Sequence, residues 1–143
     1  MKRFAIEQLK QWKDKKDRKP LIIRGARQVG KTFEMREFGA HYYKNTVYIN
    51  FETDEKIGSY FDTDIHADSV VVLLERYYQV KIVPEETLII FDEIQSLPRD
   101  TINLFNEIVS FLSKITNSTI LLCSATQPLL ENQTRESASF GKA

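Results

Sequence analysis

Two groups of residues in this chain could do chemistry together. The first is Gly25-Ala26-Arg27-Gln28-Val29-Gly30-Lys31-Thr32, which fits the pattern G-x-x-x-x-G-K-[ST]. A polyphosphate needs dense positive potential with no bulky side chains in its way. Gly25 and Gly30 let backbone N–H groups turn inward around phosphates. A helix beginning near Lys31 adds its dipole and unpaired N–H groups. Lys31 is then set to bridge the β- and γ-phosphates, and Thr32 to give its hydroxyl to Mg²⁺. The second group is Asp92-Glu93, directly after the apolar run Leu88-Ile89-Ile90-Phe91. Asp92 is expected to hold Mg²⁺ through a coordinated water, opposite Thr32, and Glu93 to polarise an attacking water as general base.

An isolated Asp-Glu pair is more often a solvated surface pair. Here the preceding apolar run and the upstream glycine loop reverse that reading. An acid immediately after a metal-supporting aspartate favours hydrolysis over phosphoryl transfer to a metabolite. The expectation is an ATP and Mg²⁺ site. Its catalytic residues are Lys31 and Glu93, its metal residues Thr32 and Asp92. Its nucleotide contacts run from Gly25 through Phe33 (Gly25, Ala26, Arg27, Gln28, Val29, Gly30, Lys31, Thr32, Phe33), with Ser124 added.

These residues need elements to position them. Leu21 to Arg24 is a short apolar strand that runs into Gly25, and Lys31 to about Ala40 reads as helix. Thr46 to Phe51, β-branched and aromatic, reads as a second strand. Residues 52–64 read as a loop with a single turn near Ile57. His66 to Val80 reads as a helix with Val70, Leu73, Leu74 and Tyr77 inward. Thr87 to Phe91 reads as a strand buried on both faces. Residues 99–115 give the clearest helical periodicity, with Ile102, Phe105, Ile108, Val109, Leu112 and Ile115 on one stripe. Ser118 to Cys123 is a fourth strand. An amphipathic helix over 2–16, with Phe4, Ala5, Leu9 and Trp12 on one face, precedes them all.

Strands alternating with helices predict an α/β sandwich with a mainly parallel sheet, and the glycine loop between the first strand and its helix makes the expected fold class a three-layer P-loop NTPase sandwich. Ligands in such sheets bind beyond the carboxyl ends of the strands, where Gly25, Asp92 and Ser124 all fall. Ser124 and Thr126 could sense a γ-phosphate or position water, or could satisfy turn backbone before Pro128; the sequence weighs these equally.

The 143 residues suit one domain, and 42% apolar with 28% charged residues is ordinary for a soluble globular chain. Twenty basic residues balance twenty acidic ones, so overall charge points neither to nucleic acid nor to membrane. Nucleic-acid binding stays open. No apolar run approaches the ~20 residues of a membrane span. The lone Cys123 suits a reducing cytoplasm. His41, His66 and Cys123 lack metal-ligand spacing and read as structural, as do the Tyr42-Tyr43 and Tyr77-Tyr78 pairs.

The phrase RGARQVGKT, preceded by KPLII and followed by VYINFE and FDEIQ, resembles a family of prokaryotic AAA-type P-loop ATPases that usually carry a further C-terminal domain. The likeness runs from about Met1 to Gln95. It implies that Lys31 and Thr32 bind nucleotide and Mg²⁺, that Asp92 supports the metal, and that Glu93 is the catalytic acid-base. Residues 91–130 resemble, instead, the stretch between the DE and SAT motifs of CRISPR-associated superfamily 2 helicases. The resemblance to the ATPases implies a sheet order 5-1-4-3-2. No fifth strand is apparent, so the expectation is a core over 1–130, truncated after the fourth strand. Residues 131–143 are then expected to form a poorly ordered polar tail. Strand one would lie at an exposed edge open to self-association. Arg135 is the only arginine after strand four, and hydrolysis would need parts missing at the C-terminus. Besides an ATPase or a helicase-like fragment, a nucleotide-binding interaction module without turnover fits the same residues.

Overall fold

The computed structural model describes residues 2–24, 30–60, 67–117, 119–124 and 136–139, with backbone alone at 2–5, 67–68 and 136–139. The helices are α1 (Lys2–Lys13), α2 (Lys31–Tyr42), α3 (Glu55–Tyr60), α4 (Ala67–Tyr78) and α5 (Arg99–Thr116). The strands are β1 (Leu21–Arg24), β2 (Asn45–Asn50), β3 (Thr87–Asp92), β4 (Ile120–Ser124) and β5 (Glu136–Ser139). They form one sheet in the order β2-β3-β4-β1-β5, and every neighbouring pair is parallel.

Pleating sends successive strand residues to opposite faces, and the sequence is apolar at both parities. Leu21, Ile23, Leu88, Ile90, Leu121 and Cys123 therefore pack on one face with Leu9 and Trp12 of α1 and Met35 and Phe38 of α2. Ile22, Val47, Ile49, Ile89, Phe91, Ile120 and Leu122 pack on the other with Val70 and Leu74 of α4 and the stripe of α5 from Ile102 to Leu112. On that second face Phe51 stacks parallel to Phe91 at 5.9 Å, and Phe105 meets both rings edge-on at 5.6 and 5.1 Å. Two covered faces make the three layers, as expected of an α/β P-loop fold. Among the described residues no helix is long and apolar enough to cross a membrane.

Three expectations are revised. Glu136–Ser139, inside the segment expected to be a poorly ordered tail, pairs along β1 as a fifth strand. The sheet is therefore not truncated after β4, and β1 is an inner strand rather than an exposed edge open to self-association. Glu136-Ser137-Ala138-Ser139 has no apolar alternation to announce a strand; the backbone of β1 supplies the pairing. Tyr77 does not point inward: it is 39% exposed and its hydroxyl donates to Asp54 Oδ1 at 3.0 Å. Ile115, on the expected inner stripe of α5, is likewise exposed. The inward faces proposed for Phe4 and Ala5 lie outside the described side chains.

The helix end of the sheet is tied together by Arg18, which is almost fully buried. Its guanidinium donates to the carbonyls of Lys13, Lys15 and Asn117 and to Glu85 Oε1 at 2.8 Å. Asn117 closes α5 in the left-handed conformation (φ 61°), the C-terminal geometry that turns the chain toward β4.

Candidate functional site

The carboxyl ends of the strands align by register. Arg24 sits beside Ser124 and Ser139, and Asn50 beside Asp92. Whatever the chain does at this end of the sheet is assembled there.

Gly25, Ala26, Arg27, Gln28 and Val29 lie outside the described residues, as do His66, Thr126 and Arg135. From Gly30 onward the loop is defined. Gly30 has φ 81°, a left-handed backbone that glycine adopts without steric cost, immediately before the first turn of α2. Lys31 follows and is buried, 3% exposed. No carboxylate among the described residues forms an ion pair with its ammonium. A buried cation is costly unless an anion accompanies it, so this environment suits a phosphate. Phe33, next to Thr32 in the same turn, is 52% exposed.

Thr32 reaches β3. Its hydroxyl donates to Asp92 Oδ2 at 2.8 Å across 60 residues of sequence. Asp92 is fully buried, and its carboxylate is held from three sides. The Tyr48 phenol of β2 donates to the same Oδ2 at 2.5 Å, and the Glu93 backbone N–H donates to Oδ1 at 2.8 Å. Tyr48 is itself fixed, since the Arg36 guanidinium lies 4.7 Å over its ring and Asn50 donates to its oxygen at 3.4 Å. Burial first, and then the bond to Asp92, push the Tyr48 phenol well above the ordinary tyrosine range, so it stays a donor. Cys123 lies on the same side of the sheet. Burial, reinforced by the Asp92 charge, pushes its thiol far above the usual range and leaves it inert.

A hydroxyl and a carboxylate in contact beside a buried lysine are hard oxygen donors of the kind Mg²⁺ takes when phosphates complete its shell. Among the described residues no cluster of three or more His, Cys, Asp or Glu side chains could hold a metal without such help.

Glu93 turns the chain sharply. Its φ of 56° and ψ of 45° are left-handed, a conformation that costs a non-glycine residue roughly 1–2 kcal/mol and that clusters at functional sites. The turn follows the end of β3 and starts a short 3₁₀ segment, Ile94–Ser96. Gln95 in that segment donates from Nε2 to Glu93 Oε1 at 2.5 Å, and its Oε1 accepts from Ser124 Oγ at 3.0 Å. Ser124 is fully buried and directs its hydroxyl to Gln95. Sequence reasoning missed Tyr48 and Gln95. Tyr48 sits at a strand position of ordinary β-propensity, and Gln95 appeared only as the last residue of the phrase FDEIQ.

Comparison with curated proteins by sequence gives no match. Solved structures of similar fold include domain III of the Thermotoga maritima replication initiation protein DnaA, at TM-score 0.59 and 18% identity over 96% of this chain and 61% of that one. They include PCH-2 of C. elegans, at TM-score 0.55 and 12% identity over 96% of this chain and 41% of that one. The Aeropyrum pernix ORC1 protein, solved in complex with DNA, is similar at TM-score 0.52 and 17% identity, over 95% of this chain and 43% of that one. This chain thus spans less than two thirds of each. At these identities the likeness is one of fold. The family profile described as AAA domain matches residues 17–140, from before β1 to the end of β5. With the P-loop pattern at Gly25 to Thr32 and the parallel sheet that carries it, this establishes that the chain belongs to the AAA domain family of P-loop ATPases.

Proposed function

We propose that this domain binds Mg-ATP at the carboxyl end of its sheet and hydrolyses it. The observation that carries the reading is the Thr32–Asp92 bond beside the buried Lys31. It joins the end of the phosphate loop to the end of β3 at one point. In this reading Gly25 through Gly30 wrap the phosphates with backbone N–H groups, and Lys31 neutralises the β- and γ-phosphate oxygens. Phe33, exposed in the first turn of α2, offers an apolar face to the nucleotide. Thr32 and Asp92 would hold Mg²⁺, which when bound offsets phosphate charge and orients the reacting oxygens. Glu93 takes a proton from the water that attacks the γ-phosphorus. The bond from that phosphorus to the β–γ bridging oxygen breaks, and ADP and phosphate are released.

The family match runs unbroken across residues 91–130, which supports one divergent ATPase domain over a helicase-like fragment. A cytoplasmic setting is the corresponding proposal for location. The rival class is a nucleotide-binding module without turnover, and two variants separate it from an ATPase. Saturating Mg-ATP at about a hundred times its Kd should stabilise the fold by ~2.7 kcal/mol, and Lys31→Ala should abolish that shift. Phosphate release should be lost in Glu93→Gln while the shift is kept. Stabilisation without phosphate release in wild type would favour the binding module; neither signal would sink the reading altogether.

A further inference from the structure

Gln95 stands between two of the residues discussed above and chemically can serve both in one orientation only. An ionised carboxylate accepts hydrogen bonds and cannot donate them. The Gln95 NH₂ group must therefore face Glu93, which leaves its carbonyl for Ser124. The Ser124 hydroxyl carries one proton, and that proton lies on the Gln95 carbonyl at 3.0 Å. The result is a directional array from the last residue of β4, through the 3₁₀ turn, to the Glu93 carboxylate. Glu93 needs such a hold. Its left-handed backbone follows directly on the end of β3 at Asp92, and a base that must meet one water molecule cannot sample many rotamers.

We propose that Gln95 is the positioning residue for Glu93, and that Ser124 acts on hydrolysis through Gln95 rather than by touching phosphate. The proposal rests on the reading of Glu93 as general base. In this reading Gln95 acts through Glu93. Its amide sets where the Glu93 carboxylate points, and the buried Ser124 hydroxyl sets the amide.

The test has a kinetic and a ligand-free arm. In steady-state ATPase assays, Gln95→Ala should lower kcat about tenfold with KM little changed, the size of effect expected when a general base is misplaced but present. Gln95→Glu keeps the acceptor for Ser124 but loses the donor and sets like charge against Glu93, so kcat should fall at least as far. Ser124→Ala should lower kcat less than Gln95→Ala, and the double variant should match Gln95→Ala alone, because both act along one path. Effects that multiply, or a Ser124→Ala change confined to KM and Mg-ATP affinity, would overturn the array in favour of direct phosphate contact. The second arm needs no turnover. In ¹H–¹⁵N spectra of the ligand-free protein, the Gln95 side-chain amide, assigned by its loss in Gln95→Ala, should move in both Ser124→Ala and Glu93→Ala. If it moves in neither, the array is wrong whatever the enzyme does. If it moves but wild type releases no phosphate, the array stands and the hydrolytic reading fails.

Discussion

Replacing Tyr48 by phenylalanine removes one oxygen atom and nothing else. The ring keeps its place under the Arg36 guanidinium and its packing beside Ile90 and Leu88 on the α1–α2 face. What goes is a 2.5 Å bond from a phenol to a fully buried carboxylate, together with the longer 3.4 Å bond that Asn50 donates to the phenol oxygen. A hydrogen bond to a charged group contributes about 1.5–3 kcal/mol. Because the phenol is only half-buried and Asp92 Oδ2 keeps its bond from Thr32, about 1–2 kcal/mol is the reasonable loss here. For a domain of this size that is a fall in Tm of about 3–7 °C, read by thermal unfolding of the nucleotide-free protein at neutral pH. The same bond has a signature in alkali. The folded-state phenol is raised above its ordinary value, so the unfolded chain releases this proton first. The stabilisation is complete below about pH 10 and is lost as pH rises from there through the folded value. Tyr43 and Tyr78 are raised as well, chiefly by burial, and contribute with the same sign. The comparison must therefore be between wild type and Tyr48→Phe, and the gap between them should narrow above about pH 10. A Tyr48→Phe protein melting within about 1 °C of wild type at neutral pH, with an unchanged alkaline limb, would refute the claim that Tyr48 holds Asp92.

Two further outcomes follow from the packing. Arg18→Ala leaves three backbone carbonyls and Glu85 without their cation, and should lower urea-unfolding stability by about 2–4 kcal/mol. Burial alone would raise the Glu85 carboxyl, but bonds from Asn117 and Arg18 and the Arg18 charge outweigh it and hold it below the ordinary range. This part of the stability is present above the ordinary carboxyl value and lost as pH falls through the folded one, so the deficit of Arg18→Ala should shrink below about pH 4. Gly39→Ala sets a Cβ 2.3 Å from Thr46 Oγ1 and 3.2 Å from its Cβ. Despite alanine's higher helix propensity it should lower Tm, by an amount corresponding to about 1–3 kcal/mol, with Thr46→Ala restoring part of the loss; a Gly39→Ala protein more stable than wild type would show that α2 and β2 separate freely.

The first four strands and the helices other than α3, whose segment read as a loop with one turn, were legible because each carries its signal locally. The α5 stripe repeats at three and four residues, and β3 is an unbroken apolar run ending in acid. Where the reading failed, the deciding partner was distant. Tyr77 has the spacing of a core residue, yet α4 turns it to Asp54. The polar strand β5 exists because β1 offers it an unpaired backbone edge, and no property of Glu136-Ser137-Ala138-Ser139 announces that.

By itself the sequence determined the chemistry on offer: a glycine-rich anion loop, a lysine and hydroxyl at its end, and a carboxylate pair behind a buried strand. Within each of the two groups the residues are neighbours along the chain, so their spacing is their geometry. Tertiary structure alone decided which groups share a proton. Tyr48 meets Asp92 across 44 residues, and Ser124 meets Gln95 across 29. These contacts depend on strand order and register, since β2 must lie beside β3, and β4 on its other side. That order is chosen by the packing of two whole faces, a property of no single segment.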